Sequence, residues 1–187
     1  MIAVDVETSG VIPHVNSILS IGAVDMANPS RQFYGECRAW NGAEIDEGAL
    51  AVNGFTLEQA TDPARKSEGE LIAEFVAWVK EVDPQPMMCG MNVAFDYNFV
   101  RLACERIGMK KPPFSYRSVD IHSVAWFYIT ERGSRPPKNL SLNRVLQMLG
   151  APGEPDPHNA LTGAMCSAEC LSRMLTGKGM FPELFRV

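Results

Sequence analysis

At 187 residues, 46% hydrophobic and 21% charged, the chain has the size and composition of one globular domain over 1–187, with no linker or low-complexity segment dividing it. Seventeen Lys and Arg against 22 Asp and Glu leave a formal charge of -5, which excludes the broad basic footprint of a non-specific duplex binder. Five cysteines with no C-x-x-C pair, no basic leader before an apolar stretch and no apolar run of about 18 residues predict a reduced, cytoplasmic chain; they argue against a disulfide scaffold, a zinc site, secretion and membrane insertion.

In the opening MIAVDVETSG, Ile2, Val4 and Val6 alternate with Ala3, Asp5 and Glu7. This period-2 pattern predicts a strand with aliphatic side chains on one face and both carboxylates on the other. At ~3.3 Å per residue the two acids stand about 6 to 7 Å apart, near enough to converge on one metal ion. A bare D-x-E equally suits a solvated edge strand, so the rest of the chain has to decide. Residues 17–26 and 32–40 read as two further strands around the turn Asn28-Pro29-Ser30, an antiparallel meander. A short helix over 49–52 stops at Asn53-Gly54, and Thr56 caps a further turn. Ser67 and Glu70 have capping-box spacing, and Leu71, Phe75, Trp78 and Val79 follow at helical intervals.

The apolar run 86–91 predicts a buried strand, followed by a helix from Ala94 that turns Phe95, Phe99, Leu102 and Ala103 inward and stops at Gly108. A strand near 116–119 leads to a helix over 121–130 capped by Asp120, and Ser141 caps another that ends at Gly150. After a loop over 152–157, a last helix from Asn159 to Leu175 buries Leu161, Ala164, Met165, Ala168, Leu171 and Leu175. The order predicts an α/β fold, a mixed five-stranded sheet flanked by helices.

Asp96 falls in the first turn of its helix, where a carboxylate often serves only the helix dipole. His158 opens the last helix after Pro155-Asp156-Pro157, a position common for a surface or capping histidine. In order, however, D-x-E (Asp5, Glu7, with Thr8), N-x-x-F-D (Asn92, Phe95, Asp96) and H-x-A (His158, Ala160) resemble the DEDDh exonucleases. This is the ribonuclease-H-like group that includes polymerase proofreading subunits and ribonuclease T. The likeness spans residues 1–175, with AVNGFT, SVDI and NLSLNRVLQMLG similar to the connecting segments of that family.

The resemblance implies a ribonuclease-H-like fold and 3′-to-5′ hydrolysis of single-stranded DNA or RNA ends to 5′-mononucleotides. It also implies two divalent ions, Mg²⁺ or Mn²⁺, about 3.5 to 4 Å apart. Asp5 would bridge them, Glu7 would hold the nucleophile-side ion and Asp96 would act directly or through water. His158 would be the general base, imidazole being the side chain suited to proton exchange near neutral pH. Thr8, Ser9, Gly10, Asn92 and Phe95 would contact the terminal nucleotide. The choice of DNA or RNA stays open, because contacts to a 2′-hydroxyl lie in loops without a motif. A homodimer or a polymerase partner stays equally open. Arg117, Arg132, Arg135 and Lys138 are scattered enough to be ordinary solvated surface.

One position departs from the family. Five residues after the histidine, where the family carries a metal-binding aspartate, this chain has Gly163. Glycine inside a helix costs about 1 kcal/mol relative to alanine, so helix propensity does not explain it. Three accounts remain: an active enzyme that recruits another ligand, a variant with crippled catalysis, or a catalytically inactive nucleic-acid-binding module on the same scaffold. Asn159, four residues earlier on the same helical face, offers an amide oxygen, whereas Cys166 and Ser167 supply no carboxylate and Glu169 lies too far along the helix. The presence of Asp5, Glu7, Asp96 and His158 favours the enzyme.

Overall fold

A computed structural model describes residues 1–182 and Phe185. Five strands, β1 (Ile2–Thr8), β2 (Ile18–Asp25), β3 (Gln32–Glu36), β4 (Met88–Gly90) and β5 (Ser118–Asp120), form one sheet in the order β3-β2-β1-β4-β5. The first three pair antiparallel, and β4 and β5 run parallel to β1. Around this mixed sheet lie α1 (Glu47–Asn53), α2 (Leu57–Thr61), α3 (Glu68–Val82), α4 (Ala94–Arg106), α5 (Ile121–Glu131), α6 (Leu142–Met148) and α7 (Ala160–Thr176). None of the described helices is long and apolar enough to cross a membrane.

Alternation in β1 sorts its side chains between two cores. Ile2, Val4 and Val6 pack with Leu71, Phe75 and Phe99 from α3 and α4. Ala3, on the other face, packs with Ala164 and Ala168 of α7. The central strand is thus covered on both sides, and Asp5 and Glu7 do not lie on a solvated edge. Glu7 is only 9% exposed. Strand pairing slips between Glu7 and Thr8, a bulge that re-aims the end of β1.

The sheet also sets where α7 lies. Asp5 pairs with Gly22 across β1 and β2. A Cβ at Gly22 would collide with the backbone of Ala160 and Leu161, so this glycine lets the first turn of α7 press directly on the sheet. Helix starts follow the caps read from sequence, with Ser67 and Glu70 forming both halves of a capping box on α3 and Asp120 and Ser141 capping α5 and α6; Asn159, read only as the start of the last helix, caps α7.

Three local expectations change. Strand β3 stops at Glu36, before the expected 40, because the chain turns away to bridge Arg38 to Ser67. Only Met88–Gly90 of the apolar run 86–91 has strand geometry. Leu175, in the last turn of α7, is 67% exposed where burial is expected, since the core partners of the helix end near Met174.

Candidate active site

Three parts of the chain meet at a cavity of about 280 Å³. Strand β1 contributes Asp5 and Glu7, the junction of β4 and α4 contributes Asn92, Phe95 and Asp96, and the loop before α7 contributes Glu154 and His158. The topology explains the meeting: β4 lies parallel beside β1, so the helix that follows β4 starts next to the acids of β1. Asn92 makes the turn with φ 53°, a left-handed conformation that asparagine tolerates better than most residues. One turn later, the Asp96 carboxylate, 3% exposed, accepts the Val6 N–H through Oδ1 at 3.0 Å and joins α4 to β1.

His158 precedes α7, tied through its backbone N–H to Val52 O at 3.3 Å. Its Nε2 lies 3.7 Å from Asp156 Oδ1, an open pair because the Asp156 side chain is almost fully exposed. Phe95 is half-buried, its ring centroid 4.8 Å from that of Phe99. Of the expected nucleotide contacts, Asn92 and Phe95 line the cavity and Thr8, Ser9 and Gly10 do not. The Thr8 hydroxyl donates to Gly10 O at 2.6 Å. Ser9 Oγ donates to Glu44 O and accepts the Ser17 N–H, and Gly10 abuts Asn16. These groups hold the β1–β2 connection together.

Among the described residues no lysine or arginine lines the cavity, and its acids bear the cost. Burial, above all, raises Glu7 to about 7; nearby His158 pulls it down and Glu154 pushes it up. Burial also raises Asp96 to about 8 against the stabilising Val6 N–H. Asp5 is held well above the usual carboxylate range by burial and then by the charges of Asp96, Glu7 and Glu154. Glu154 is raised as well, mainly by burial. Such a cluster calls for positive charge. Among the described residues no three His, Cys, Asp or Glu side chains are already gathered at ligand spacing, so the carboxylates face one space without forming a closed cage.

Gly163, in the first turn of α7, faces this cluster. A Cβ there would collide with the Asp5 carboxylate and lie 3.1 Å from Glu154 Oε1. The amide offered by Asn159 is not free: its Oδ1 caps the N–H groups of Leu161 and Thr162 at 3.0 and 3.3 Å, and its Nδ2 donates to the Tyr34 hydroxyl at 3.0 Å. Glu169 is fully buried on Arg173 and on the N–H groups of Met180 and Phe181. Glu154 is the acid that sequence reading missed. It sits in an aperiodic loop, and the one local sign of it is an acid held between Gly153 and Pro155 just ahead of the histidine.

The family model described as Exonuclease matches residues 2–171. The chain belongs to the exonuclease family. The chain is 29% identical over 175 residues to the 3′-5′ DNA exonuclease Cap18 of Escherichia coli, a match covering 90% of the chain and 87% of the relative. With ribonuclease T of Marinobacter nauticus it shares 31% identity over 124 residues, 60% of the chain and 56% of that relative. Among solved structures, the nuclease domain of 3′hExo, a DEDDh family member, bound to rAMP, is similar with a TM-score of 0.75 and 17% identity, over 95% of this chain and 92% of that one. E. coli exonuclease I in complex with a dA16 oligonucleotide is similar with a TM-score of 0.70 and 18% identity, over 94% of this chain but 41% of that one. At such identities the structural likeness speaks for the fold, and that fold is the expected ribonuclease-H-like one. Members of this exonuclease family generally use divalent metal ions.

Proposed function

We propose that this exonuclease shortens single-stranded nucleic acid from its 3′ end and releases 5′-mononucleotides, with DNA as its first substrate. One observation carries the proposal: Asp5, Glu7, Asp96 and His158, from three separate motifs, face one cavity that has neither lysine nor arginine among its described lining residues. The near full-length match to a relative named as a DNA exonuclease supports the choice of DNA.

The lining fits Mg²⁺ or Mn²⁺. These hard cations take oxygen ligands, and the cavity offers carboxylates. The Glu7 carboxylate, 9% exposed, has no hydrogen-bond or ion-pair partner among the described residues, an arrangement that a cation would balance. Asp5, Glu7 and Asp96 would hold the ions, which, when bound, acidify water and stabilise charge on the departing 3′ oxygen. His158, its side chain 36% exposed, takes the proton of the attacking water and returns it to solvent beside Asp156. Phe95 offers an aromatic surface for the terminal base, and Asn92 a polar group beside it.

The test follows 5′-labelled single strands of DNA and RNA with Mg²⁺ or Mn²⁺. Expected are progressive shortening from the 3′ end, loss of turnover with a chelator or Asp5→Ala, and a roughly 10²- to 10⁴-fold fall in kcat for His158→Ala. Binding of 3′ ends with no shortening of either strand would overturn the proposal in favour of an inactive binding module.

A further inference from the structure

The family's third motif lacks its carboxylate at Gly163, and the structure offers a specific reason why glycine stands there. The Asp5 carboxylate and Glu154 Oε1 both lie within 3.1 Å of the point a Cβ would occupy. Two acids that approach from different directions fill the space into which an aspartate from α7 would project. One comes from β1, as the family likeness anticipates. The other comes from the loop between α6 and α7.

That loop is built to hold Glu154 still. The Glu154 N–H donates to Asn143 Oδ1 on α6, and a Cβ on Gly153 would stand 3.2 Å from the same oxygen, so the chain passes close over this anchor. Pro155 restricts the Glu154 backbone to extended conformations, and Pro152 and Pro157 stiffen the loop on either side. Upstream, the Ala151 N–H bonds to Leu146 O at 2.9 Å, which continues the attachment to α6. The half-buried Glu154 side chain has no hydrogen-bond or ion-pair partner among the described residues, and it lines the same cavity as Glu7, a residue only 9% exposed whose carboxylate is equally unpartnered. A loop pinned by its backbone, presenting an unpaired acid to other unpaired acids, has the arrangement of a ligand rather than of a solvated surface residue.

We infer that Glu154 supplies the fourth carboxylate of the metal site, delivered from the α6–α7 loop to the position that Gly163 leaves open in α7. This inference rests on the exonuclease reading and adds to it a ligand outside the family's motifs. It also assigns Gly163 a role: the missing side chain makes room for Asp5 and Glu154 together.

The experiment compares the wild-type chain with Glu154→Gln, Gly163→Asp and the double variant. It measures Mn²⁺ affinity by calorimetry and by the loss of free-Mn²⁺ electron paramagnetic resonance signal, and thermal stability without metal. Glu154→Gln is expected to weaken Mn²⁺ binding at least about tenfold, the loss that even outer-shell partners of metal ligands produce, while its metal-free stability stays equal or rises as repulsion falls. The double variant moves the carboxylate back to the helix and is expected to recover most of that affinity. Gly163→Asp alone adds one more acid against Asp5 and is expected to lower metal-free stability. Mn²⁺ affinity within twofold of wild type in Glu154→Gln overturns the inference. So does weakened affinity accompanied by lower metal-free stability and no recovery in the double variant, the signature of a loop-structural role. If wild type shortens 3′ ends while Glu154→Gln binds Mn²⁺ normally, the inference alone falls; if wild type neither binds Mn²⁺ nor shortens any strand, the exonuclease reading falls with it.

Discussion

Asp96 does two things with one carboxylate. Its Oδ1 accepts the Val6 N–H, and the group as a whole lines the acidic cavity, so a substitution at this position separates structure from chemistry. Asp96→Asn keeps an acceptor for the buried amide, whereas Asp96→Ala leaves that amide unpaired at a cost of about 1–3 kcal/mol. Urea denaturation without metal is expected to find Asp96→Ala less stable than Asp96→Asn by that amount, with exonuclease turnover lost in both. The residues that carry a motif, Asp5, Glu7, Asp96 and His158, were legible in sequence because the family's spacing marks them. Glu154 was not, because a loop residue has no periodicity to tie it to a distant strand. Asn159 was legible as a helix start, yet its amide is spent on the cap and on Tyr34, a competition that sequence distance along one helix face does not reveal.

At the scale of elements, the site depends on how α7 meets β2. Gly22 is opposite Asp5 in the sheet and directly under the backbone of Ala160 and Leu161. Gly22→Ala forces helix and sheet apart at the point where His158 and Gly163 are brought to the acids. It is expected to cost about 1–3 kcal/mol or more and to lower turnover beyond any loss of folded protein, measured by thermal denaturation alongside activity per folded molecule. Caps and strand alternation made most element starts readable from local chemistry, as at Ser67, Asp120 and Ser141. The length of β3 was not readable, since Arg38 leaves the sheet only because a bridge to Ser67 competes with continued pairing.

Over the whole molecule, folding concentrates four carboxylates in a place where His158 is the one described lining residue able to carry positive charge. Folding raises Glu7 from 4.5 to about 7 and Asp96 from 3.8 to about 8, so the folded state binds protons more tightly than the unfolded chain. The resulting stabilisation is fully present below the unfolded values and is lost as pH rises through about 7 to 8. Metal-free protein is therefore expected to melt at a lower temperature at pH 8.5 than at pH 5.5 by differential scanning calorimetry, where a site without buried acids would show little such slope. Mn²⁺ at 100 times its Kd contributes about 2.7 kcal/mol, or about 5 to 10 °C for a chain of this size, and this gain is expected chiefly on the alkaline side, where the acids are ionised.

Sequence alone determined the order of strands and helices, the alternation that sends Asp5 and Glu7 to one face of β1, and the family to which the chain belongs. These are properties of spacing and local propensity, which survive without knowledge of what touches what. Tertiary structure decided that β1 is buried on both faces, that Thr8 to Gly10 hold a turn outside the cavity, and that Glu154 reaches the place opposite Gly163. Each depends on which remote segments pack together, and the clearest is the missing carboxylate: the helix lacks it, and a loop anchored on α6 brings another acid to the same point in space.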